Sequence, residues 1–239
     1  MCDVYASALH FWRTAAQLSQ HPQPDLVFIW NQAVATIQED FLGSTISTVH
    51  ASLLDLVGRP VLSITGNVTT VGRTVTLSYS LGLHRDPTSW QATEHEKAVR
   101  IRLWWGVLIH DYWSSLAHGT PPLIQSANYD VPVPNEEGVL DPDSSEAHRR
   151  SATSFVRLCT LSKTLGDLLP HVYALNPDYG SVNKSLRRLE CAVDDWELSL
   201  PDFLEPEKGV NGSSNLRFCL LSVRLLLCRV SFKVSRPFS

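Results

Sequence analysis

At 239 residues the chain is long enough for one large domain or two small ones, with a core that takes about 70–75% of the unfolded chain's surface out of water. An apolar fraction of 44% against 18% charged residues excludes global disorder. Twenty Lys and Arg against twenty-four Asp and Glu leave a net charge of −4, without the strong basic excess of a nucleic-acid-binding module.

Val4, Ala8, Phe11, Ala15 and Leu18 recur at helical spacing and predict a first helix that ends at His21-Pro22-Gln23-Pro24. A second runs from near Asp25 through Leu26, Trp30, Ala33, Ile37 and Phe41 to the break at Gly43-Ser44. The third opens with Ser44 or Thr45 as N-cap, carries Ile46, Val49, Leu53 and Leu56 on one face, and closes on Gly58 with Pro60 just beyond. Residues 61–82 are rich in β-branched Val, Ile and Thr, which favour strand by intrinsic preference. Yet Ile64, Val68, Val71, Val75 and Tyr79 fall at helical spacing, and the periodicity predicts a helix capped by Gly82.

After the turn His84-Arg85-Asp86-Pro87, Thr93 followed by Glu96 has the spacing of a capping box and starts a helix near Glu94. This helix holds three of the seven tryptophans, is uncharged from Leu103 to Ile109, and ends at Gly119 and Pro121-Pro122. A segment apolar all round is a buried one. The prolines make residues 129–134 extended, and 135–143 is an acidic loop, the candidate internal boundary. A further helix through Ala152, Phe155, Cys159, Leu165 and Leu169 is expected to stop at Pro170. Val182, Leu186, Leu189, Val193, Trp196 and Leu200 mark the next, and the last runs from about Asn215 to Val234. The fold class is all-α: a single irregular multi-helix domain of about eight helices over residues 1–239, with no convincing strand.

The five cysteines never form a Cys-x-x-Cys pair, which argues against a zinc cluster, and their odd number argues against a disulfide framework. Buried free thiols in a reducing compartment are the expectation. Leu216–Val230 is the most lipid-like stretch, but three arginines interrupt it short of the ~20 apolar residues a membrane span needs. The start of the chain lacks the basic and apolar runs of a secretory signal, so the protein reads as soluble and intracellular.

Four features invite a chemical reading. His95-Glu96 has Val99 where a zinc-protease helix needs its second histidine. Asp194-Asp195-Trp196-Glu197 is like the acidic cluster with which helical terpene synthases hold magnesium, but no second ligand cluster accompanies it, and solvated helix charges are the simpler account. The tryptophans Trp30, Trp104, Trp105 and Trp196 lie in the apolar phase of their helices and read as core rather than as a ligand cage. Asp111, inside the tryptophan-rich helix, must find a donor or a cation, since an unpaired buried carboxylate is costly. With no nucleophile motif for it to serve as a base, a structural ion pair or a helix-end cap is expected, and the predicted partner is an arginine, with Arg102 and Arg85 as first candidates. No catalytic, cofactor-binding or metal-binding residue is assigned.

Leu81-Gly-Leu83-His84-Arg85-Asp-Pro87, Trp90, Arg100-x-Arg102-Leu-Trp104-Trp105, Asp111, Ser115-Leu116, Gly119-x-Pro121 and Asp130-Val-Pro-Val-Pro134 follow one another in the order and spacing of a known family. They resemble the regulatory middle domain of fungal zinc-cluster transcription factors. Trp196-x-x-x-Leu200-Pro201 and Arg236-Pro237-Phe238 look like that family too. Two positions depart from its pattern: Tyr112 stands where an Arg commonly follows the helix Asp, and Thr120 where the turn commonly reads Gly-Arg-Pro.

The resemblance implies a nuclear role in regulating transcription, by masking activation or by sensing a small-molecule effector or a protein co-regulator. Family members contact DNA through an N-terminal six-cysteine binuclear zinc cluster, which these residues do not contain; zinc and DNA are therefore expected as partners of that cluster only. The chain is expected to be a fragment or truncated product, and its oligomeric state is not legible. Two readings compete with the regulatory one: an α-helical small-molecule-binding protein or terpene-synthase-like enzyme, and a non-functional truncation whose last helix lacks a packing partner.

Overall fold

The computed structural model describes residues 1–58, 64–141 and 143–235. Among these residues it contains eight α-helices joined by short 3-10 turns and no strand, so the chain is all-α. The helices are α1 (Cys2–Ala8), α2 (Leu26–Asp40), α3 (Ile46–Gly58), α4 (Ile64–Ser80), α5 (Glu94–His118), α6 (Glu146–Tyr173), α7 (Tyr179–Leu198) and α8 (Ser213–Ser235). They group into two compact units, Met1–His84 and Arg85–Ser239, and the 135–143 loop lies inside the second. The sequence motifs at Pro60 and at Arg236-Pro237-Phe238 fall outside the described residues.

In the first unit α1 packs on α2 and α3, and α3 packs on α4. Ala6, Trp30 and Ala33 form a buried cluster with Cys2, Leu26 and Ile29 against it. Gly58 lets the Trp30 ring come close, since a Cβ there would stand 2.7 Å from the indole. The first helix is much shorter than its apolar rhythm predicts. It passes into a 3-10 turn at Leu9–Phe11 and then into turns up to residue 20. Side chains bond to carbonyls that a longer helix would use: the Ser19 hydroxyl donates to Ala16 O and the Gln23 amide to Leu9 O.

α4 is a helix despite its β-branched composition. Its hydroxyls fold back on the helix itself, Thr69 donating to Thr65 O, Thr70 to Gly66 O, Thr74 to Thr70 O and Thr76 to Gly72 O. Such back-bonding satisfies threonine in a helix, and the burial of Val71, Val75 and Leu77 supplies the driving force that intrinsic preference withholds. Gly82, at φ +69°, turns the chain out of the helix, and the Leu83 N–H bonds back to Ser78 O at 2.9 Å.

The second unit is built around α6, against which α5, α7 and α8 all pack. Cys159, Leu161, Leu165, Leu168 and Leu169 of α6 are buried, and so are Leu103, Trp104, Trp105, Val107 and Leu108 of α5. Indole N–H groups from both flanking helices end on α6 hydroxyls: Trp113 donates to Ser162 Oγ and Trp196 to Thr160 Oγ1, each at 2.8 Å. α6 does not stop at Pro170. The ring stands in the last turn, where one N–H is lost, and Ala174 closes the helix by donating to Pro170 O at 3.1 Å. The expectation of buried thiols holds for Cys159 and Cys219 only; Cys191 and Cys228 are exposed.

Asp3 of α1 is buried, and that burial, reinforced by the Asp55 carboxylate of α3, pushes its pKa from 3.8 up to about 6. A carboxyl raised on folding stabilises the fold below its unfolded value, and that contribution is lost as the pH rises through the folded value. Asp3→Asn removes the ionisation. Its urea midpoint relative to the unmodified chain should therefore rise between about pH 4 and about pH 7, and an unchanged difference would show that Asp3 titrates normally.

Candidate functional site

α5 is set up by its ends. The Thr93 hydroxyl accepts from Glu96 N–H at 3.1 Å, Glu94 and Glu96 occupy the first turn, and Gly119, at φ +71°, ends the helix with its N–H on Ser115 O. Beyond Gly119 the chain doubles back along the helix as an extended strap, residues 120–141, interrupted by short 3-10 turns at 126–128 and 137–139.

Asp111 holds this strap. It is buried, and among the described residues no arginine is found on it: its carboxylate accepts the Leu123 N–H at 3.0 Å and the Ile124 N–H at 2.8 Å. The expected partners are engaged elsewhere, Arg102 donating to Val139 O at 3.3 Å and Arg85 pairing with Asp130 at 2.9 Å. The reason is local. Pro121 and Pro122 have no N–H, so after Thr120 the next amides the strap can offer are those of Leu123 and Ile124, and the return of the chain aims both at the helix. Burial raises the Asp111 pKa, and the Ile124 and Leu123 amides pull it back. His110 beside it is pushed down to about 4 by burial and is neutral at physiological pH.

Further bonds run up the helix. The Ser115 hydroxyl donates to Thr120 O and the Trp105 indole to Pro132 O at 2.7 Å. Tyr129 sets its ring 5.5 Å from that of Trp104 and edge-on to that of Trp105 at 6.3 Å. Asp130 joins the strap to the turn before α5, accepting the Asp86 N–H as well as the Arg85 guanidinium. The motif residues Arg85, Arg102, Trp104, Trp105, Asp111, Gly119 and Pro121 thus belong to one assembly of α5, its flanking turn and its strap. Leu83 and His84 close the first unit, with the His84 ring 5.0 Å from that of Tyr79.

Along the first half of α5 the strap stands off, leaving a cleft of about 710 Å³. Lys97, Ile101 and Arg102 line it from the helix, Val133, Pro134 and Leu140 from the strap. The other charged features resolve into structure. Glu96 pairs with Arg100, and the Asp194–Glu197 cluster of α7 faces α8, where Arg224 binds Asp194 and Glu197, and Arg217 binds Glu197. Among the described residues, no group of three or more His, Cys, Asp and Glu side chains could hold a metal ion.

Three contributors were missed from sequence: the Leu123 and Ile124 amides, Tyr129, and Gly166. The Pro121-Pro122 pair was a usable signal for the amides. Nothing in the sequence marks Gly166, which lies where α6 crosses the buried ring of Tyr112, and a Cβ there would overlap that ring. The bulk of Tyr112 is accommodated by this missing side chain.

Two measurements test the assembly. Asp111→Ala should lower the unfolding free energy by about 1–3 kcal/mol in urea, the cost of a buried amide left without its acceptor, whereas Arg85→Ala or Arg102→Ala should cost less than about 1 kcal/mol. A loss for Arg102→Ala as large as that for Asp111→Ala would restore the arginine as anchor. Gly166→Ala should destabilise by about 1–3 kcal/mol through overpacking, and Tyr112→Leu in the same chain should recover part of that loss.

Residues 3–198 match the sequence pattern of the fungal specific transcription factor domain. A transcriptional regulatory protein of Schizosaccharomyces pombe is 26% identical over 99% of this chain and 36% of its own length. The thiamine repressible genes regulatory protein thi1 of the same yeast is 24% identical over 72% of this chain and 22% of its own. The acetamidase regulatory protein of Aspergillus oryzae is 25% identical over 56% and 17%. The chain thus spans little more than a third of the first of these relatives and about a fifth of the others. No solved structure matches it significantly. With the helical architecture and the α5 motif in place, a match over residues 3–198 means that the chain belongs to the fungal specific transcription factor domain family.

Proposed function

We propose that this chain is the regulatory part of a fungal transcription factor, acting in the nucleus and controlling transcription without touching DNA itself. DNA contact, and the zinc that supports it, would belong to a binuclear cluster outside these residues. The family match over residues 3–198 carries the reading, and the named relatives are regulators of transcription. The net charge of −4 and the absence, among the described residues, of a helix long and apolar enough to cross a membrane agree with it.

Regulation requires an element with two arrangements and a signal that favours one of them. In this reading the strap is that element. Asp111 pins its start through two backbone amides, while a longer bond, from Arg102 to Val139 O, links its far end to α5. A small-molecule effector or a co-regulator segment filling the cleft of about 710 Å³ would displace that end and leave the anchored end in place.

The test is a fusion of residues 1–239 to an unrelated DNA-binding domain, read with a reporter gene in a fungal cell. The fusion should change reporter output severalfold relative to the DNA-binding domain alone, and Asp111→Ala should abolish the change. Binding of a short DNA duplex by the unfused chain, with the steep salt dependence of phosphate contacts, would overturn the division of labour.

A further inference from the structure

α8 is apolar on two opposite faces. Leu216, Leu220, Val223, Leu227 and Val230 are buried against the rest of the second unit. On the other side Phe218, Leu221 and Leu225 are 69, 51 and 62% exposed, and Cys228 is exposed as well. Their separations of three, four and three residues are those of a coiled-coil seam, whose holes accept the side chains of one further helix rather than of a sheet or a loop.

Charge decides which helix. α8 carries Arg217, Arg224, Arg229 and Lys233 and no carboxylate. Arg217 and Arg224, on one edge of the seam, are met by Glu197 and Asp194 of α7. At 100° per residue, Arg229 and Lys233 fall together on the opposite edge, and both are exposed. A second copy packed antiparallel on this seam would set Arg229 and Lys233 against their own counterparts, cation against cation. We infer that this face of α8 docks an amphipathic helix whose apolar ridge fills the Phe218–Cys228 seam and whose flank carries carboxylates for Arg229 and Lys233. The proposal is independent of the cleft beside α5 and of the transcriptional reading.

The experiment uses the full chain and a labelled synthetic helix of about three heptads, with Leu at the seam positions and Glu at the flanking ones. A twin peptide carries Lys in place of Glu, and binding is followed by fluorescence anisotropy. The acidic peptide should bind at least about tenfold tighter than the basic one, and more weakly as salt rises. Leu221→Glu with Leu225→Glu should abolish binding while the circular dichroism spectrum is unchanged, since both residues are exposed. Arg229→Glu with Lys233→Glu should reverse the preference between the peptides. Equal binding of the two peptides, binding of neither, or insensitivity to the seam substitutions would overturn the proposal. So would a dimer in sedimentation that Leu225→Glu dissociates, because the occupant would then be a second copy.

Discussion

A carboxylate taken out of water has to be met by donors, and in the second unit the donors for Asp111 are two consecutive backbone amides. Much follows from that choice. Because the amides belong to the segment just after the helix, the chain has to reverse at Gly119 and run back along α5. Running back, it brings Pro132 O to the Trp105 indole, the Tyr129 ring to the two tryptophans and Asp130 to Arg85. The tryptophan-rich helix is therefore covered by its own continuation on one side and by α6 on another. An arginine partner for Asp111 would have tied two side chains together and left the course of the strap unspecified.

The remainder of the second unit shows how polar side chains are used inside an apolar bundle. α6 meets α5 and α7 through hydroxyls that accept indole N–H groups, so neither Trp113 nor Trp196 is buried at the expense of its donor. Gly166 of α6 makes room for the Tyr112 ring of α5. α7 and α8 are joined by a network in which Glu197 receives both Arg217 and Arg224, and those bonds hold its carboxyl below the usual range. The acidic cluster that looked like a cation site is one half of a helix-to-helix ionic contact.

Membership of a regulatory family gives these features a common sense. The motif residues read from the sequence are mostly those that pin the strap to α5, which gives them an architectural role. What is left for interaction lies where the architecture stops: the cleft beside the far end of the strap, and the outer face of α8, beyond the family match that ends at residue 198. Neither depends on Asp111 directly, and both are presented by elements that Asp111 and α6 keep in place.

Local rules were sufficient wherever a helix is decided by its own residues. Thr93 and Glu96 placed the start of α5 and Gly119 its end, because capping depends on neighbours a few positions away. Period also identified α4 against its β-branched composition, because hydroxyl back-bonds and a buried face are both satisfied within one helix. The same reasoning overran α1 and stopped α6 too early. In the first case the Ser19 and Gln23 side chains bonded to backbone carbonyls; in the second a proline in the last turn cost too little to end the helix. Which group would meet Asp111, which glycine would admit Tyr112, and which cations of α8 would remain free were decided only by tertiary structure. Each depends on two segments distant in sequence, or on the return of a strap, reaching the same few ångströms, and a linear pattern carries no such distance.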